Sequence, residues 1–356
     1  MIRTYYDKKY NFKELFNTKT GFSIRSGILD KNGEGTEENP FMSSYPLLLD
    51  VGTMGTCNTG LNGKCNVKCY QSGNVKQEPN MSLNDFREII CQAEKGGTFQ
   101  IALGGRGDPN KHEDFERLLR YARRSNIVPN YTTSGYELTD REVEITGKHV
   151  GAVALSEHFA QYTRDAIESF IAEGVKTNLH YVLSNDTIGN AIEMLKNDGF
   201  DRGLNAVIFL LYKPVGLQKI LSSILTPDDP MVKEFFQLID KESYDFKIGL
   251  DSCSTPGVFN FTKNINRDSI DGCEAGLFSA FVTPDMFLLP CSFEQDRKYA
   301  VNLREFTIQE AWDSPEFEDF RSKLKKQCPK CENHEDCSIC PIVPEITLCN
   351  RTEKEI

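Results

Sequence analysis

The sequence predicts an α/β fold built on a parallel sheet, followed by a cysteine-rich segment. Six short apolar runs alternate with amphipathic stretches along the first two thirds of the chain. Most runs start roughly 20–30 residues apart, which leaves room for a helix between successive strands. Parallel strands with crossover helices produce this alternation. The residues alone do not distinguish an open sheet from a barrel.

The six predicted strands are short, apolar and rich in β-branched residues, as expected for strands buried on both faces. They are YPLLLDVG (45–52), TFQIALGG (98–105), IVPNYTT (127–133), VGAVALS (150–156), VKTNLHYVL (175–183) and NAVIFLLY (205–212). Each run ends at or near a glycine, a serine or another turn-forming residue, which predicts a loop directly after the strand.

The stretches between the strands have the apolar spacing of amphipathic helices. The first begins at a cap-like Ser82 or Asn84 and ends on the glycine pair at 96–97. Later examples are KHEDFERLLRYARRSN, LTDREVEITGK, TRDAIESFIAEG and NDTIGNAIEMLKNDG. Loops at the carboxyl ends of parallel strands meet at one edge of the sheet and form its site. The candidates at these ends are Cys57, Gly104, Gly105, Ser134, Ser156 and KPVG (213–216).

Composition and charge exclude several classes of function for this chain. Of the 356 residues, 39% are hydrophobic and 26% are charged, as in ordinary soluble proteins. The net charge of −11 argues against a nucleic-acid partner or an anionic membrane surface and suits a basic peptide. The first residues lack the apolar run of a signal peptide, and no run of about 18 apolar residues occurs. We therefore expect a cytoplasmic protein without a membrane partner.

Twelve cysteines in a reducing compartment predict metal sites rather than disulfides. Cys57, Cys65 and Cys69 follow the first strand with the spacing C-x7-C-x3-C. Three thiolates on one loop can hold three irons of a [4Fe–4S] cluster and leave the fourth iron open. The alternative is a zinc site that a remote His or Asp completes.

Eight more cysteines lie in the tail, and they make two four-thiolate sets with none left over. They are Cys253, Cys273, Cys291, Cys328, Cys331, Cys337, Cys340 and Cys349. A zinc ribbon over 328–340 is the alternative, but it leaves the other four without a role. Cys91 is the spare cysteine. It lies in the first amphipathic stretch, so we expect a small buried apolar residue there.

The cysteine trio, LGGRGDP (103–109), TTSG (132–135), Ser156 and KPVG occur in an order that resembles the radical SAM superfamily. The resemblance implies a partial (β/α)6 TIM-like barrel over residues 46–245, after an N-terminal extension of residues 1–45 that packs on the core. It implies that S-adenosylmethionine binds the open iron of the cluster and yields a 5′-deoxyadenosyl radical. The family's usual spacing is C-x3-C-x2-C. The extra residues here include two glycines and two asparagines, which can loop out without strain.

The same resemblance implies which residues surround S-adenosylmethionine. Backbone carbonyls at Gly104 and Gly105 bind its amino group, Ser134 its carboxylate and Ser156 its ribose. Each serine can instead be a helix cap. Arg106 stands where the family often has an acidic residue, and it can pair with a carboxylate or form a surface ion pair.

Two further residues complete the predicted cofactor site. Tyr70 follows Cys69, whereas the family usually has an aromatic residue before the third cysteine, a position that Lys68 occupies here. His180 alternates with Asn178 on one strand face, so both can point into a barrel. A satisfied core histidine is the alternative interpretation of His180. No residue is singled out as the catalytic acid or base.

The tail resembles the SPASM extension of radical SAM enzymes, through CPKCENHEDCSIC (328–340) and the predicted hairpin between Cys273 and Cys291. This implies an auxiliary domain over 246–356 with two [4Fe–4S] clusters. By the family pattern Cys253, Cys273, Cys291 and Cys340 hold the first cluster, and Cys328, Cys331, Cys337 and Cys349 the second. Which of Cys337 and Cys340 serves which cluster stays open.

The resemblance implies a radical enzyme that modifies a peptide or protein side chain, of the ribosomal-peptide maturase type. Its partners would be that peptide and an external one-electron donor such as flavodoxin or ferredoxin. Sulfatase maturation is disfavoured because Ser292, not an aspartate, follows Cys291. The extension before Pro46 is shorter than the usual leader-recognition domain, so a separate recognition protein or direct docking is expected. The alternatives are a dehydrogenase of small molecules and, in another class, an iron–sulfur electron carrier or a zinc-binding module.

Overall fold

The chain begins with a small antiparallel sheet. The computed structural model describes residues 1–65, 69–75, 77–216, 219–325, 328, 331, 333 and 337–350. The three strands of the first sheet, in the order β1-β2-β3, are β1 (Ile2–Asp7), β2 (Phe12–Asn17) and β3 (Ser23–Arg25). Phe12 and Phe16 lie on the same face of β2, and both are fully buried in the main core. The polar N-terminal extension thus packs on the core through one face of a sheet.

All six predicted strands are present, and neighbours in sequence pair in parallel. They are β4 (Leu48–Met54), β5 (Gln100–Gly105), β6 (Val128–Thr133), β7 (Val153–Ser156), β8 (Thr177–Leu183) and β9 (Ala206–Leu211). Strands that pair in this sequential parallel order, each followed by a helix, build a (β/α) barrel wall. The predicted α/β fold with a partial (β/α)6 TIM-like barrel is confirmed.

Helices lie between the strands and continue into the tail. They are α1 (Asn58–Leu61), α2 (Leu83–Gly96), α3 (Phe115–Arg124), α4 (Asp140–His149), α5 (Gln161–Ala172), α6 (Ile188–Lys196), α7 (Pro230–Lys241), α8 (Thr255–Phe261), α9 (Ile308–Trp312) and α10 (Pro315–Lys325). Helix α2 starts at Ser82, whose hydroxyl accepts a hydrogen bond from Asp85 N, and it ends at Gly97 with a φ of +94°. Of the two predicted caps the structure uses Ser82, and the glycine supplies the left-handed turn. No described helix has both the length and the apolarity needed to cross a bilayer.

The two faces of the barrel wall differ in chemistry. On β4, Leu49 and Val51 are fully buried in the hydrophobic core, whereas Asp50 between them is partly accessible. The same alternation on β8 leaves Asn178 and His180 partly accessible between buried neighbours. Successive side chains of a strand point to opposite faces. The helix-covered face is therefore apolar and the inner face, the lumen, is polar.

The tail contributes strands to both edges of the barrel sheet. They are β10 (Lys247–Leu250), β11 (Ser279–Val282), β12 (Phe287–Leu289) and β13 (Val301–Asn302). Strand β10 extends the wall beside β9, and β11 pairs in parallel with β4 on the opposite side. The hairpin of β11 and β12 is the one predicted between Cys273 and Cys291. The resulting ten-stranded order is β10-β9-β8-β7-β6-β5-β4-β11-β12-β13.

Candidate active site and cysteine clusters

The first cysteine loop starts at the carboxyl end of β4, as predicted. Cys57 is the N-cap of α1, and its sulfur accepts a hydrogen bond from Gly60 N at 3.3 Å. Burial, with smaller contributions from the nearby Asp108, Cys69 and Cys65, raises the pKa of Cys57 to about 11. The three thiols therefore share one partly buried region. Residues 66–68, which include Lys68, lie outside the described residues.

Arg106 holds the base of this loop. Its side chain is only 8% exposed, and it donates hydrogen bonds to Gly55 O at 2.8 Å and Gln71 O at 3.1 Å. Its third partner is Glu78, at 2.5 Å. Gly55 and Gln71 flank the cysteine trio on either side, so one guanidinium ties together the start and the end of the loop. The ion pair predicted for Arg106 is present, but its arginine end is buried.

Asp108 adds a carboxylate that the sequence analysis did not identify. Its side chain accepts hydrogen bonds from Ser134 N at 2.6 Å, Ser134 Oγ at 2.7 Å and Thr59 Oγ1 at 3.1 Å. Ser134, predicted to contact the cofactor, is thus already engaged at the end of β6. Because Thr59 lies in the cysteine loop, Asp108 joins three neighbouring strand-end loops. An acidic residue two places after Arg106 in LGGRGDP was the available sequence signal.

The glycine pair at the end of β5 keeps the lumen open. A side chain added at Gly104 would meet no atom within 4 Å, and Gly105 has a φ of +96° that favours glycine. Register pairing sets Gly104 beside Gly52 of β4. The carbonyls of this strand end are therefore unobstructed by side chains, as the predicted role in cofactor binding requires.

Ser156, His180 and Asp50 line the lumen. The first two were predicted as site residues. Ser156 and His180 are register partners on β7 and β8, so they share one face. Burial lowers the pKa of His180 to about 4, which keeps the imidazole neutral at pH 7. Burial raises the pKa of Asp50 to about 7, and no hydrogen bond or ion pair from the described residues reaches its carboxyl group. Asp50 lies inside a predicted strand but was not recognised as a site residue.

Tyr70 joins the first cysteine loop to the tail. Its ring packs on Phe293 with centroids 4.3 Å apart, and Gln71 Nε2 donates a hydrogen bond to Ser292 O at 3.2 Å. A Cβ atom on Gly216, the last residue of KPVG, would lie 2.4 Å from Tyr70 O, so this turn needs a glycine. The residues directly after Cys69 thus touch those directly after Cys291. We call the pair Tyr70 and Phe293 the junction.

Four tail thiols lie near one another. Cys273 and Cys340 are close enough to interact electrostatically with each other and with both Cys253 and Cys291. Burial raises the pKa of Cys273 to about 11 and that of Cys291 to about 12, and it raises the pKa of Cys253 as well. The donor set fits a closed four-thiolate site, in which a bound cluster would take the place of the thiol protons.

The second predicted tail set is less fully described. Cys331 N donates a hydrogen bond to Cys328 O at 2.9 Å, which makes a tight turn of this C-x2-C pair. Cys337 and Cys349 are partly buried. In the part of the chain that the structure describes, no three Cys, His, Asp or Glu side chains stand close enough to hold a single metal ion. Thiols around a four-iron cluster are spread more widely, because the cluster separates them.

Cys91 differs from the prediction. It is partly exposed on α2 and not buried. The buried stripe of this helix consists of Phe86, Ile89, Ile90 and Ala93, and Cys91 lies beside that stripe. The apolar spacing identified the helix but did not place this position on its rim.

A comparison with protein families identifies the tail. Residues 273–341 match the SPASM family, described as an iron–sulfur cluster-binding domain. Among characterised proteins, the PqqA peptide cyclase of Gluconobacter oxydans is 23% identical over an alignment that covers 77% of this chain and 82% of that protein.

Solved structures share the fold over nearly the whole chain. SuiB of Streptococcus suis bound to S-adenosylmethionine superposes with a TM-score of 0.71 at 17% identity, covering 98% of this chain and 99% of SuiB. SuiB bound to its precursor peptide SuiA gives 0.70 at 16% identity, covering 98% of each chain. The enzyme anSMEcpe with bound AdoMet and Cp18Cys peptide gives 0.61 at 17% identity, covering 85% of this chain and 91% of that one.

The fold and the cysteine sites define a class: a partial parallel barrel with a cysteine loop at its strand ends and an iron–sulfur cluster-binding tail. Within that class the chain is similar to radical SAM proteins with a C-terminal SPASM domain, as its motifs indicated.

Proposed function

We propose that this chain is a radical S-adenosylmethionine enzyme that modifies a side chain of a peptide or protein. The observation that carries this proposal is the direct contact between the residues that follow Cys69 and those that follow Cys291, at the junction of barrel and tail. One site has three thiols and the other has four. An open three-thiol site beside a closed four-thiol site suits a reaction that starts at the first site and passes an electron to the second.

The similar proteins support a peptide substrate. The Gluconobacter protein is a PqqA peptide cyclase, SuiB binds the precursor peptide SuiA, and anSMEcpe binds the Cp18Cys peptide. The net charge of −11 suits a peptide with basic residues. Inside the lumen, the unpartnered carboxyl group of Asp50 offers such a peptide one buried acceptor for a cationic or proton-donating group.

The thiols are assigned by their loops. Cys57, Cys65 and Cys69 would hold the cluster that binds S-adenosylmethionine. Cys253, Cys273, Cys291 and Cys340 would hold one auxiliary cluster, and Cys328, Cys331, Cys337 and Cys349 the other. When bound, the first cluster and S-adenosylmethionine supply a 5′-deoxyadenosyl radical that takes a hydrogen atom from the substrate.

The remaining site residues bind and orient. The backbone at Gly104 and Gly105, the hydroxyls of Ser134 and Ser156 and the neutral imidazole of His180 would surround the cofactor. Asp108 supplies the acidic group of the glycine motif, two residues after Arg106, and it fixes Ser134 at the same time. Tyr70, packed on Phe293, closes the side of the site that faces the tail.

Anaerobic iron analysis with matched cysteine variants tests this assignment. The wild-type chain should bind about twelve irons, as expected for three clusters, and the Cys57→Ala/Cys65→Ala/Cys69→Ala variant should bind about four fewer. The triple variant should also make no 5′-deoxyadenosine from S-adenosylmethionine. Cys91→Ala is the control, and it should keep the full iron content and the cleavage activity. Cleavage of S-adenosylmethionine by the triple variant would refute the assignment.

The substrate class is tested with the same protein. Synthetic peptide pools rich in lysine or arginine, incubated with reductant and S-adenosylmethionine, should yield products that lack two hydrogens by mass spectrometry. Turnover should fall as ionic strength rises, since the attraction between charges is screened by salt. Conversion of a free sugar or nucleotide with no reaction of any peptide would favour the small-molecule dehydrogenase instead.

A further inference from the structure

A buried lysine lies beside the first tail site. Lys213 directly follows the last residues of β9, in the KPVG turn, and its side chain is 5% exposed. Its ammonium group donates hydrogen bonds to Asp251 Oδ2 at 2.5 Å and to Leu211 O at 3.1 Å. The same nitrogen stands 4.5 Å from the centre of the Phe293 ring. A lysine is seldom buried unless a partner holds its charge.

Asp251 fixes the lysine in this position. Besides the ammonium group, its carboxylate accepts hydrogen bonds from Leu211 N at 3.1 Å and Ser254 Oγ at 2.8 Å. Burial disfavours the charged lysine, but Asp251 and the neighbouring thiols outweigh burial and raise the pKa of Lys213. The cation is therefore permanent at any working pH.

Lys213 lies beside two of the four tail thiols. Asp251, which holds the ammonium group, is two residues before Cys253. Phe293, whose ring the ammonium group faces, is two residues after Cys291. The positive charge is thus fixed next to the segments that carry these two thiols.

We propose that Lys213, held by Asp251, is a positioning residue whose charge raises the reduction potential of the auxiliary cluster on Cys253, Cys273, Cys291 and Cys340. This rests on the proposed function for the identity of that cluster. Reduction adds a negative charge, and the potential of an iron–sulfur cluster depends on nearby charge and hydrogen bonds. A fixed cation favours the reduced form, which makes the cluster a better acceptor for an electron from a substrate radical.

The location of Lys213 predicts that its effect is local. The ammonium group lies on the tail side of the junction, over Phe293, while Tyr70 occupies the side that leads to Cys69. The potential of the first cluster should therefore change less than that of the auxiliary cluster. In the protein with all its cysteines, the first of the three clusters therefore provides an internal comparison.

Redox titration followed by electron paramagnetic resonance tests this, with the auxiliary signal isolated in the Cys57→Ala/Cys65→Ala/Cys69→Ala background. Lys213→Met should lower the auxiliary midpoint potential, and Lys213→Arg should stay near the wild-type value. Lys213→Met/Asp251→Asn, which leaves no unpaired buried carboxylate, should have a potential above that of Lys213→Met and below that of Asp251→Asn. Lys196→Met, which removes an exposed lysine paired with Glu234, should change nothing.

The outcomes separate this proposal from the proposed function. Equal potentials in Lys213→Met/Asp251→Asn and Asp251→Asn, both with full iron content, would overturn the role of Lys213, even where Lys213→Met alone fails to fold. Absence of any auxiliary signal in the parent protein would overturn it as well. Failure of the proposed function would appear elsewhere, as no cleavage of S-adenosylmethionine by a protein that still shows the potential shift.

Discussion

Burial in the lumen shifts the pKa values of Asp50 and His180 in opposite directions. The lumen disfavours charge, so the carboxyl group gains a proton more easily and the imidazole loses one more easily. Around pH 5 both groups are therefore neutral in the folded protein. The strand pattern predicted that His180 faces the interior, but the pKa values depend on how closely the other strands enclose it.

The Asp50→Asn variant should be more stable than the wild type at pH 8 but not near pH 4. The pKa of Asp50 rises from 3.8 to about 7 on folding, so the folded protein keeps a proton that the unfolded chain releases in that window. The free energy of unfolding of the wild type therefore falls as the pH rises from 4 to 7, and the variant avoids this loss of about 4 kcal/mol. Thermal unfolding under anaerobic conditions at both pH values measures the difference.

Glu168→Gln on the exposed face of α5 is the control, because neutralising an exposed carboxylate should give no such gain. If the difference in stability between Asp50→Asn and wild type were the same at both pH values, the carboxyl group would not be desolvated in the lumen.

At the scale of elements, the long C-x7-C-x3-C loop needs support that the shorter family spacing does not. The loop gains a short helix, α1, capped by Cys57 itself, and Arg106 closes its base through two backbone carbonyls. A Cβ atom on Gly73 would lie 2.9 Å from Cys57 Cβ, so the returning chain packs directly against the first cysteine of the loop. Cluster binding should therefore depend on Arg106.

Arg106→Met should lower the iron content by up to about four per chain, the amount of one cluster. The change leaves Gly55 O and Gln71 O without their donor, and a buried polar group without a partner costs about 1–3 kcal/mol. Anaerobic iron analysis and the thermal midpoint measure both effects. Arg141→Met, which removes an exposed arginine paired with Glu116 and Glu144, should change neither. Full iron content in Arg106→Met would contradict the role of Arg106 in holding the base of the cysteine loop.

The sequence predicted the elements whose signal is local and missed those that depend on distant partners. The six barrel strands were found because apolar runs and helical stretches alternate. Strand β10 has only four residues and was not predicted. The hairpin that contains β11 was predicted, but its pairing with β4, more than two hundred residues away in the chain, was not. The same limit applies to the site. The cysteines can be recognised from their spacing in the sequence. The contacts of Asp108 and Lys213 form only when strands from different regions of the chain come together.

At the scale of the whole molecule, the N-terminal sheet ties the barrel to the tail. Phe16 stacks on Phe99 before β5, with ring centroids 5.2 Å apart, and Phe12 packs edge-on against Phe278 beside β11 at 6.1 Å. Arg25 adds an ion pair with Glu274, the residue after Cys273, and lies 3.6 Å from the Phe278 ring. The extension is thus part of one continuous core that reaches the first tail site.

Phe12→Ala should destabilise the whole chain, because a fully buried aromatic ring is lost between β2 and the tail. Removing such a side chain costs about 3–5 kcal/mol through lost burial and the cavity that remains. The midpoint of denaturant unfolding should fall, and iron should be released from the tail at a lower denaturant concentration than in the wild type. Phe22→Ala is the matched control, since Phe22 is 63% exposed and its loss should change stability by less than about 0.5 kcal/mol. If Phe12→Ala unfolded like Phe22→Ala, the first sheet would add little to stability, and barrel and tail would be held together by the direct contacts between them, such as the pairing of β4 with β11.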